Sequence, residues 1–401
     1  MRAAVAGPAR LGIAVSGGSD SLALLHLCAE LAEAMGWDLH AATVDHALRP
    51  ESAAEAARVG EICAGLGVPH QILRWEHGAI AGNLQDQARR ARYGLMAEWA
   101  QAEGISHVMI GHTADDQAET FLMGLSRAAG LDGLTGMRRD WDEGGVRFWR
   151  PLLGLKRSEL RDYLTRHGVA WIEDPSNDND RFARVKARRA VKALKPLGIT
   201  VGRLNETILH LAEAQDGLRA AASQTWDSLG KEQAGALHIG RREFTRLGWE
   251  MQRRILLAAI QWLVNDEHAP RGRKVATLQA SVIEGRETTL NGCRFRFKDQ
   301  TLSIYREPRA VKDLENATTE LWDKRWQITG PHAEGLTIRA LGVEGLAACA
   351  GWRDLKIPRD ALLVSPAVWQ GATLIAAPLA GKPNDWQAIL GRSLNHVLLS
   401  H

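Results

Sequence analysis

Short apolar runs alternate with longer amphipathic segments through the first half of the chain. Apolar runs bounded by turn residues predict buried strands, and apolar positions that recur every three or four residues predict helices with one buried face. The predicted strands are 11–15, 39–44, 69–75 and 107–110, and the predicted helices are 22–35, 51–66, 83–103 and 114–125. Because such alternation is typical of a parallel sheet with helices on both faces, it predicts a doubly wound α/β fold.

The pattern changes after a stretch of turn-forming residues at 174–180. Residues 181–195 predict a basic helix with seven lysines or arginines and no acidic residue. The remaining predicted elements are helices at 201–229 and 249–264 and two strands at 288–297 and 301–305. We therefore predict three domains: an α/β domain over 1–198, a helical domain over 199–285 and a smaller C-terminal α+β domain over 286–401.

The composition is that of a folded globular protein, because 45% of the 401 residues are hydrophobic. The net charge of +3 neither requires nor excludes a nucleic-acid partner. The four cysteines form no Cys-x-x-Cys pair, so they give no signal for a zinc or iron–sulfur site. The sequence shows neither an apolar stretch of about 18 residues nor an N-terminal apolar signal segment. We therefore expect a cytoplasmic protein without a membrane span.

The first predicted strand ends in a loop that is suited to binding phosphate. The loop consists of Ser16, Gly17, Gly18, Ser19, Asp20 and Ser21 and leads directly into the first helix. The glycines let backbone N–H groups approach an anion, and the helix N-terminus adds partial positive charge. Asp20 would repel a bare phosphate, so its carboxylate indicates a metal ion between the two. No Gly-Lys-Ser/Thr follows, so this is not a Walker A motif; an ordinary tight turn is the alternative.

Polar residues also follow two other predicted strands. Asp45 and His46 end the second strand, and Gly111 and His112 end the fourth. Ligands of doubly wound sheets bind beyond the carboxyl ends of the strands, so these residues are expected beside the phosphate-binding loop. Taken alone, Asp45 and His46 would be interpreted as a turn at the end of a strand.

The helix after the fourth strand begins with acidic residues. Asp116 and Glu119 are three positions apart and share one helix face, and Asp115 lies four positions before Glu119. Acidic residues in a first turn are favoured by the helix dipole, so ordinary capping is one interpretation. The other is a cation held between the carboxylates, either Mg²⁺ or an amine substrate.

Two groups of basic residues are candidates for contacts with phosphate. Arg89 and Arg92 share one face of the predicted helix 83–103. An arginine there is either solvated or placed to stabilise charge on a phosphate. The basic helix 181–195 is either a solvated helix or a contact for an RNA backbone, and its lack of acidic residues favours RNA.

Six segments together resemble the tRNA(Ile)-lysidine synthetases, a family of PP-loop ATP pyrophosphatases with a Rossmann-like sheet. The segments are 16–21, 44–49, 88–93, 111–120, 150–153 and 171–177. The resemblance is strong over the N-terminal half and weaker over the helical region and residues 290–293. Other PP-loop enzymes share only the first segment, so the combination points to this family.

The resemblance implies a two-step reaction on the wobble cytidine of tRNA(Ile) with a CAU anticodon. ATP, with Mg²⁺ at Asp20, would adenylate the cytosine O2 and release pyrophosphate; free L-lysine would then displace AMP and form lysidine. Asp116 and Glu119 would hold lysine, and Arg92 and Arg184 would support the adenylate or substrate. The nucleotide site would consist of residues 16–21 with Asp45, His46, Gly111 and His112.

One position departs from the family pattern, because Val185 stands between Arg184 and Arg188 where the family commonly has asparagine. Two other functions are alternatives. A PP-loop tRNA 2-thiolase would need cysteines at the site, and a non-catalytic RNA-binding protein would keep the loop as a scaffold. The sequence leaves open the general base for lysine, with His46 and His112 as candidates, and the oligomeric state, with a homodimer as one alternative.

Overall fold

The computed structural model describes residues 7–47, 51–77, 84–173, 183–265, 270 and 272–400. The chain divides into two units, Met1–Gln215 and Asp216–His401. The predicted turn 174–180, the first two residues of the predicted basic helix and Arg49 of the segment 44–49 lie outside the described residues.

A six-stranded sheet forms the centre of the N-terminal unit. Its strands are β1 (Ala9–Ala14), β2 (Trp37–Asp45), β3 (His70–Arg74), β4 (His107–Ile110), β5 (Asp140–Glu143) and β6 (Val146–Trp149). The spatial order is β3-β2-β1-β4-β6-β5, and only β5 runs antiparallel to its neighbour. The chain thus reverses its direction of winding at β1, and in such sheets ligands bind at that point.

Helices cover both faces of this sheet. The helices of this unit are α1 (Ser19–Met35), α2 (Ser52–Gly65), α3 (Leu84–Ala102), α4 (Ala114–Leu125), α5 (Leu131–Leu134), α6 (Arg157–Arg166), α7 (Ala183–Leu194) and the first part of α8 (Val201–Leu229). Helices α4, α5, α7 and α8 pack against one another in a separate cluster. Leu11 and Ile13 of β1 pack with α1, α2 and α6, whereas Val108 and Phe148 pack with α3 on the other face. Side chains that alternate between two buried faces explain why these strands are apolar throughout.

The predicted doubly wound α/β fold is therefore confirmed. The predicted strand 107–110 and helices 114–125, 201–229 and 249–264 match the observed bounds, and the other predicted elements overlap observed ones. Within the N-terminal unit, no predicted element corresponds to β5, β6, α5 or α6. Helix α6 is short and polar, and only Leu160 and Leu164 of it are buried, so its apolar periodicity is weak.

An antiparallel five-stranded sheet organises part of the C-terminal unit. Its strands are β7 (Gly230–Gln233), β8 (Ala236–Gly240), β9 (Thr288–Leu290), β10 (Cys293–Lys298) and β11 (Thr301–Arg306), and the nearby helices are α9 (Arg241–Arg246), α10 (Trp249–Val264) and α11 (Gly272–Ile283). Helices α10 and α11 share one hydrophobic core with β8, β10 and β11. The predicted three-domain division, with boundaries after residues 198 and 285, stays a prediction.

Two smaller sheets complete this unit. The remaining elements are α12 (Pro308–Val311), β12 (Asn316–Ala317), β13 (Trp326–Thr329), β14 (Leu336–Ala340), α13 (Gly342–Ala347), α14 (Arg359–Leu363), β15 (Pro366–Gln370), β16 (Thr373–Ala376), β17 (Gln387–Leu390) and α15 (Leu394–Leu399). Strands β12-β14-β15-β16 form one sheet and β13-β17 the other. Buried Trp322, Trp326 and Trp386 belong to one core cluster. Among the described residues, no helix is long and apolar enough to cross a membrane.

Candidate active site

A cleft of about 1160 Å³ opens at the carboxyl ends of β1, β2 and β4 in the N-terminal unit. Its walls come from the phosphate-binding loop, the ends of β2 and β4, and helices α3, α4, α6 and α7. Sequence-predicted residues that line it are Ser16, Gly18, Ser19, Asp20, Ser21, Asp45, His46, Arg92, Gly111, His112, Asp116 and Arg184. One cleft therefore brings together side chains that are far apart in the sequence.

The phosphate-binding loop has a defined backbone conformation. Gly17 has a φ of +82°, and a Cβ there would lie 2.7 Å from the Cδ1 atom of Ile172. The Ser21 hydroxyl donates to the carbonyl of Gly18 at 3.0 Å and accepts from the backbone N–H of Ser16 at 3.1 Å. Gly18 is the N-cap of α1 and provides no capping side chain. The first N–H groups of α1 therefore face the cleft without a side-chain cap, as an anion site requires.

Gly111 lets the end of β4 approach this loop closely. A Cβ at Gly111 would lie 2.9 Å from both the carbonyl carbon and the carbonyl oxygen of Asp20. Backbone atoms cannot move aside as a flexible side chain can, so any larger residue would displace the start of α1 or the segment that carries His112.

Arg157, the first residue of α6, connects the acidic side chains of the cleft. Its Nε donates to Asp20 at 2.9 Å, and its Nη2 donates to Asp116 at 3.1 Å. Its Nη1 lies 3.5 Å from Glu119, and its backbone N–H donates to Asp115 at 2.8 Å. One arginine thus joins the phosphate-binding loop to α4.

Two arginines of α7 also pair with Glu119, which is 1% exposed. The Nε of Arg188 lies 2.8 Å from Glu119 Oε1, and the Nε of Arg184 lies 3.3 Å from Glu119 Oε2. Arg184 is the more exposed of the two, and its Nη2 is 4.0 Å from Asp116. Glu119 and Asp116 therefore lie on one helix face as predicted, and both are already paired with guanidinium groups.

Burial and charge act in opposite directions on these carboxyl groups. Burial raises the pKa of Asp20 above its usual value, although Arg157 opposes this. Burial would also raise the pKa of Asp116, but the charges of Arg157 and Arg184 and the hydrogen bond from the Thr113 backbone hold it below its usual value. Asp116 is thus an ionised partner for a cation at neutral pH.

Asp45 and Arg92 lie on the side of the cleft formed by β2 and α3. Asp45 accepts hydrogen bonds from the Ser52 hydroxyl at 2.6 Å and the Ala47 backbone at 2.8 Å, which lower its pKa. These bonds make it part of a turn at the end of β2. The guanidinium of Arg92 lies 5.3 Å from the ring centre of Tyr93. Arg92 lines the cleft, and its buried Nε has no hydrogen-bond partner among the described residues.

The two cleft histidines are both shifted toward the neutral form. Burial lowers the pKa of His46, and the charge of Arg92 lowers it further. Burial lowers the pKa of His112 to about 3, with the charges of Arg150 and Arg92 acting in the same direction and Asp116 opposing them. His46 packs edge-on against Trp75, with ring centres 5.9 Å apart. Both imidazoles are therefore uncharged near neutral pH.

Asp20 is the carboxylate best placed to hold a metal ion next to the phosphate-binding loop. Within the described ranges, no group of three or more His, Cys, Asp or Glu could hold a metal by itself. Mg²⁺ commonly takes one or two carboxylates and completes its shell with substrate phosphates and water. The donor set of the cleft therefore fits a Mg²⁺ ion shared with a nucleotide.

Comparison with known proteins identifies relatives over most of the chain. A family model described as a PP-loop domain matches residues 3–194. A tRNA(Ile)-lysidine synthase from Ruegeria pomeroyi is 45% identical over 383 residues, which cover 96% of this chain and 91% of that protein. The tRNA(Ile)-lysidine synthase of Wolbachia pipientis wMel is 35% identical, and the match covers 80% of this chain and 77% of that protein. The tRNA(Ile)-lysidine synthase of Hyphomonas neptunium is 40% identical, and the match covers 71% of this chain and 78% of that protein.

The chain belongs to the tRNA(Ile)-lysidine synthase family. The predicted family membership is thereby confirmed. The PP-loop domain makes it an ATP-binding protein, since that domain is a nucleotide-binding unit.

The cysteines do not favour the alternative of a PP-loop thiolase within this superfamily. All four are buried, and none of them lines the cleft. Burial raises the pKa of Cys28 to about 12 and that of Cys63 to about 11. A thiolate nucleophile needs a lowered pKa and access to substrate, and these thiols have neither.

Three arginines of the site received no role in the sequence analysis: Arg157, which lies in none of the segments singled out there, and Arg188 and Arg150, which lie in the basic helix and in segment 150–153. One signal was available for Arg157. It follows Lys156 at the N-terminus of a helix, where the helix dipole disfavours cations. Two basic residues in that position indicate that acidic partners from elsewhere in the fold offset the cost. The acidic groups Asp20 and Asp116 supply that compensation.

The close approach at Gly111 gives the first prediction. Replacing Gly111 by alanine should weaken ATP binding and lower stability by about 1–3 kcal/mol, because the new methyl group overlaps the backbone of Asp20. Calorimetric titration with ATP and urea unfolding measure the two effects. Gly154→Ala is the matched control, since nothing lies within 4 Å of a Cβ there. Equal ATP affinities for the two variants would refute the steric argument.

The Arg157 network gives the second prediction. Arg157→Met leaves Asp20, Asp116 and Glu119 without their shared cation, and we expect a loss of about 3 kcal/mol at neutral pH. Repulsion among the carboxylates raises their pKa values above those of the unfolded chain, so the loss should grow as pH rises from about 5 to about 7.

Urea unfolding at both pH values checks this expectation. Arg166→Met, at an exposed position of the same helix, should change stability by less than about 0.5 kcal/mol. A loss from Arg157→Met that is independent of pH would contradict the electrostatic account.

Proposed function

We propose that the protein uses ATP to attach free L-lysine to C2 of the wobble cytidine of tRNA(Ile) with a CAU anticodon. The supporting observation is that one cleft holds both a phosphate-binding loop and a buried carboxylate cluster, with Arg157 bonded to members of each. Family membership supports the same reaction. An adenylating site and an amine-binding site in one cleft are what a two-step ligation requires.

In the first step, the O2 atom of cytosine attacks the α-phosphorus of ATP, and pyrophosphate leaves. The residues of the loop from Ser16 to Ser21 and the N-terminus of α1 hold the phosphates. Arg92 and Arg184, which line the cleft, balance the negative charge on the α-phosphate. Asp20 would hold Mg²⁺, which when bound neutralises phosphate charge.

In the second step, the ε-amine of lysine attacks C2 of the cytidine, AMP leaves, and the attacking nitrogen loses a proton. Asp116 and Glu119 are the proposed partners of the lysine amine. Because both are paired with guanidinium groups, a lysine ammonium must replace one of them. Arg184 fits this exchange best, since its side chain is 44% exposed and its contacts with these carboxylates, at 3.3 and 4.0 Å, are longer than the 2.8 Å contact of Arg188.

The basic helix α7 is the proposed link between the cleft and the RNA. Arg184, Arg188 and Lys192 line the cleft, while Lys186 and Arg189 of the same helix are exposed. A polyanion bound along α7 would contact this exposed surface and reach the site directly.

Val185 is buried in the described structure, at 7% exposure. At the position where the family commonly has asparagine, this chain therefore has an apolar side chain that packs in the interior. A cytoplasmic location and a homodimer stay predictions.

The third prediction tests the reaction itself. The purified full-length chain should incorporate radiolabelled lysine into a tRNA(Ile) transcript with a CAU anticodon only when ATP and Mg²⁺ are both present. A transcript with uridine at the wobble position is the control and should stay unlabelled. If the folded protein transfers lysine to neither transcript when ATP and Mg²⁺ are both present, the proposed function is refuted.

The fourth prediction concerns the carboxylate partner of lysine. Asp116→Asn keeps an acceptor for the Thr113 backbone N–H, which now bonds to Asp116 at 2.8 Å, but removes the charge. We expect the KM for lysine to rise by about 10-fold or more, because a charged hydrogen bond contributes about 1.5–3 kcal/mol. The KM for ATP should change much less.

Steady-state kinetics with each substrate varied in turn separate the two constants. Glu98→Gln, at an exposed position of α3 outside the cleft, is the matched control and should leave both values unchanged. An unchanged KM for lysine in Asp116→Asn would remove the role assigned to this carboxylate.

A further inference from the structure

Arg150 is a buried cation to which the proposed reaction gives no role. Arg150 is 4% exposed, and it forms no salt bridge with a carboxylate among the described residues. Its guanidinium lies 3.9 Å from the ring centre of Trp141, and its Nη1 donates to the carbonyl of Arg138 at 2.6 Å. Its Nε donates to the Nδ1 of His112 at 2.9 Å. Burying a charge without an ion pair is costly. The burial of the Arg150 guanidinium beside His112 therefore indicates that the site needs a cation at this position.

An aromatic cluster holds Arg150 in one orientation. Trp141 stacks on Phe148 with ring centres 5.2 Å apart, and Tyr93 packs edge-on against Trp141 at 5.4 Å. Phe148 is fully buried in the core under α3. A guanidinium that is stacked on a fixed ring and bonded to a backbone carbonyl has little freedom to turn away from His112.

The hydrogen bond from Arg150 determines which nitrogen of His112 carries the proton. An arginine Nε–H can only donate, so the Nδ1 of His112 must present a lone pair. A neutral imidazole that accepts at Nδ1 has its proton on Nε2, and an imidazolium could not accept at all. His112 therefore exists as the neutral Nε2–H form.

The Nε2–H group of His112 is available to a substrate. His112 lines the cleft, and its Nδ1 is directed to the buried Arg150. No residue in the described part of the chain accepts a hydrogen bond from Nε2. The cations that act on His112 electrostatically include Arg92 and Arg184, which we place around the α-phosphate. A neutral donor among these cations suits an anionic oxygen.

We infer that Arg150 is a positioning residue that fixes His112 as its Nε2–H tautomer, so that His112 donates a hydrogen bond to an α-phosphate oxygen. This inference rests on the proposed function for the identity of the acceptor. It also removes His112 from the two candidates for the general base, because its Nδ1 is occupied and its Nε2 already carries a proton. The same bond serves both steps, since the phosphate is attacked in the first and leaves as part of AMP in the second.

The tautomer is tested without reference to activity, by nitrogen NMR of the full-length chain with ¹⁵N-labelled histidine. The resonances of His112 are those that disappear in His112→Gln. We expect a bare Nδ1 and a protonated Nε2 in the wild type at neutral pH. In Arg150→Met, which keeps an apolar chain on Trp141, we expect a mixture of tautomers. A protonated Nδ1 in the wild type, or the same tautomer in wild type and Arg150→Met, would overturn the inference.

Kinetics test the consequence for catalysis. The side-chain N–H of glutamine can take the place of Nε2–H, whereas asparagine is too short to reach it. His112→Gln should therefore retain kcat within about 10-fold of wild type, and His112→Asn should lose about 100-fold or more. Arg150→Met should lower kcat by about 10–100-fold with little change in the KM for lysine. Arg166→Met is the control.

The outcomes separate this inference from the proposed function. If the wild type shows the predicted tautomer but transfers no lysine, the proposed function is refuted, whereas the inferred effect of Arg150 on the His112 tautomer stands. Equal losses of kcat in His112→Gln and His112→Asn would show that His112 does not act as a donor, and would overturn the inference while lysine transfer by the wild type stands.

Discussion

The ion-pair network around Arg157 is the interaction on which the rest of the site depends. A single guanidinium contacts Asp20 of the loop after β1 and Asp116 of α4, at 2.9 and 3.1 Å. Three carboxylates packed together without a cation would repel one another and take up protons. Arg157 allows them to stay ionised and close, and its backbone bond to Asp115 fixes the start of α6 against α4.

Under the proposed function, the same network would let the cleft bind a phosphate and an amine in turn. Asp116 lines the cleft with the phosphate-binding loop, Glu119 is buried behind it, and Arg157 contacts both the loop residue Asp20 and Asp116. A lysine ammonium that replaces one guanidinium keeps the local charge balanced, so the exchange costs less than bringing a new charge into an apolar site. The released arginine is then free to pair with the phosphate of the leaving AMP.

Much of the fold could be predicted from the sequence because its strands are buried on both faces and its helices are amphipathic. The loop at residues 16–21 and the pair Asp116 and Glu119 could be predicted because local spacing places them at a strand end or on one helix face. Arg157 and Arg150 could not be predicted in this way. Their function depends on partners more than 35 residues away in the chain, namely Asp20 and Asp116 for one and His112 for the other.

The strands β5 and β6 and the helix α6 were missed for a related reason. All three are short. Strand β5 and helix α6 carry few apolar residues, and β6, with three apolar residues out of four, is too short to show a clear period. Residues 140–166 thus contain the least predictable secondary structure of the N-terminal unit and also two of its most connected side chains. Hydrophobic periodicity gives the least information about polar segments that are stabilised by ion pairs.

The central claim is that one cleft first adenylates the RNA and then exchanges AMP for lysine. The most direct measurement is to incubate the full-length chain with the tRNA(Ile) transcript, Mg²⁺ and ATP labelled at its α-phosphate, without lysine, and to map the label on the RNA. The account predicts label bound covalently at the wobble cytidine, and its release as AMP when lysine is added, with one lysine incorporated for each AMP released. Lysine incorporation without a labelled RNA intermediate, or label found on lysine instead, would contradict the account.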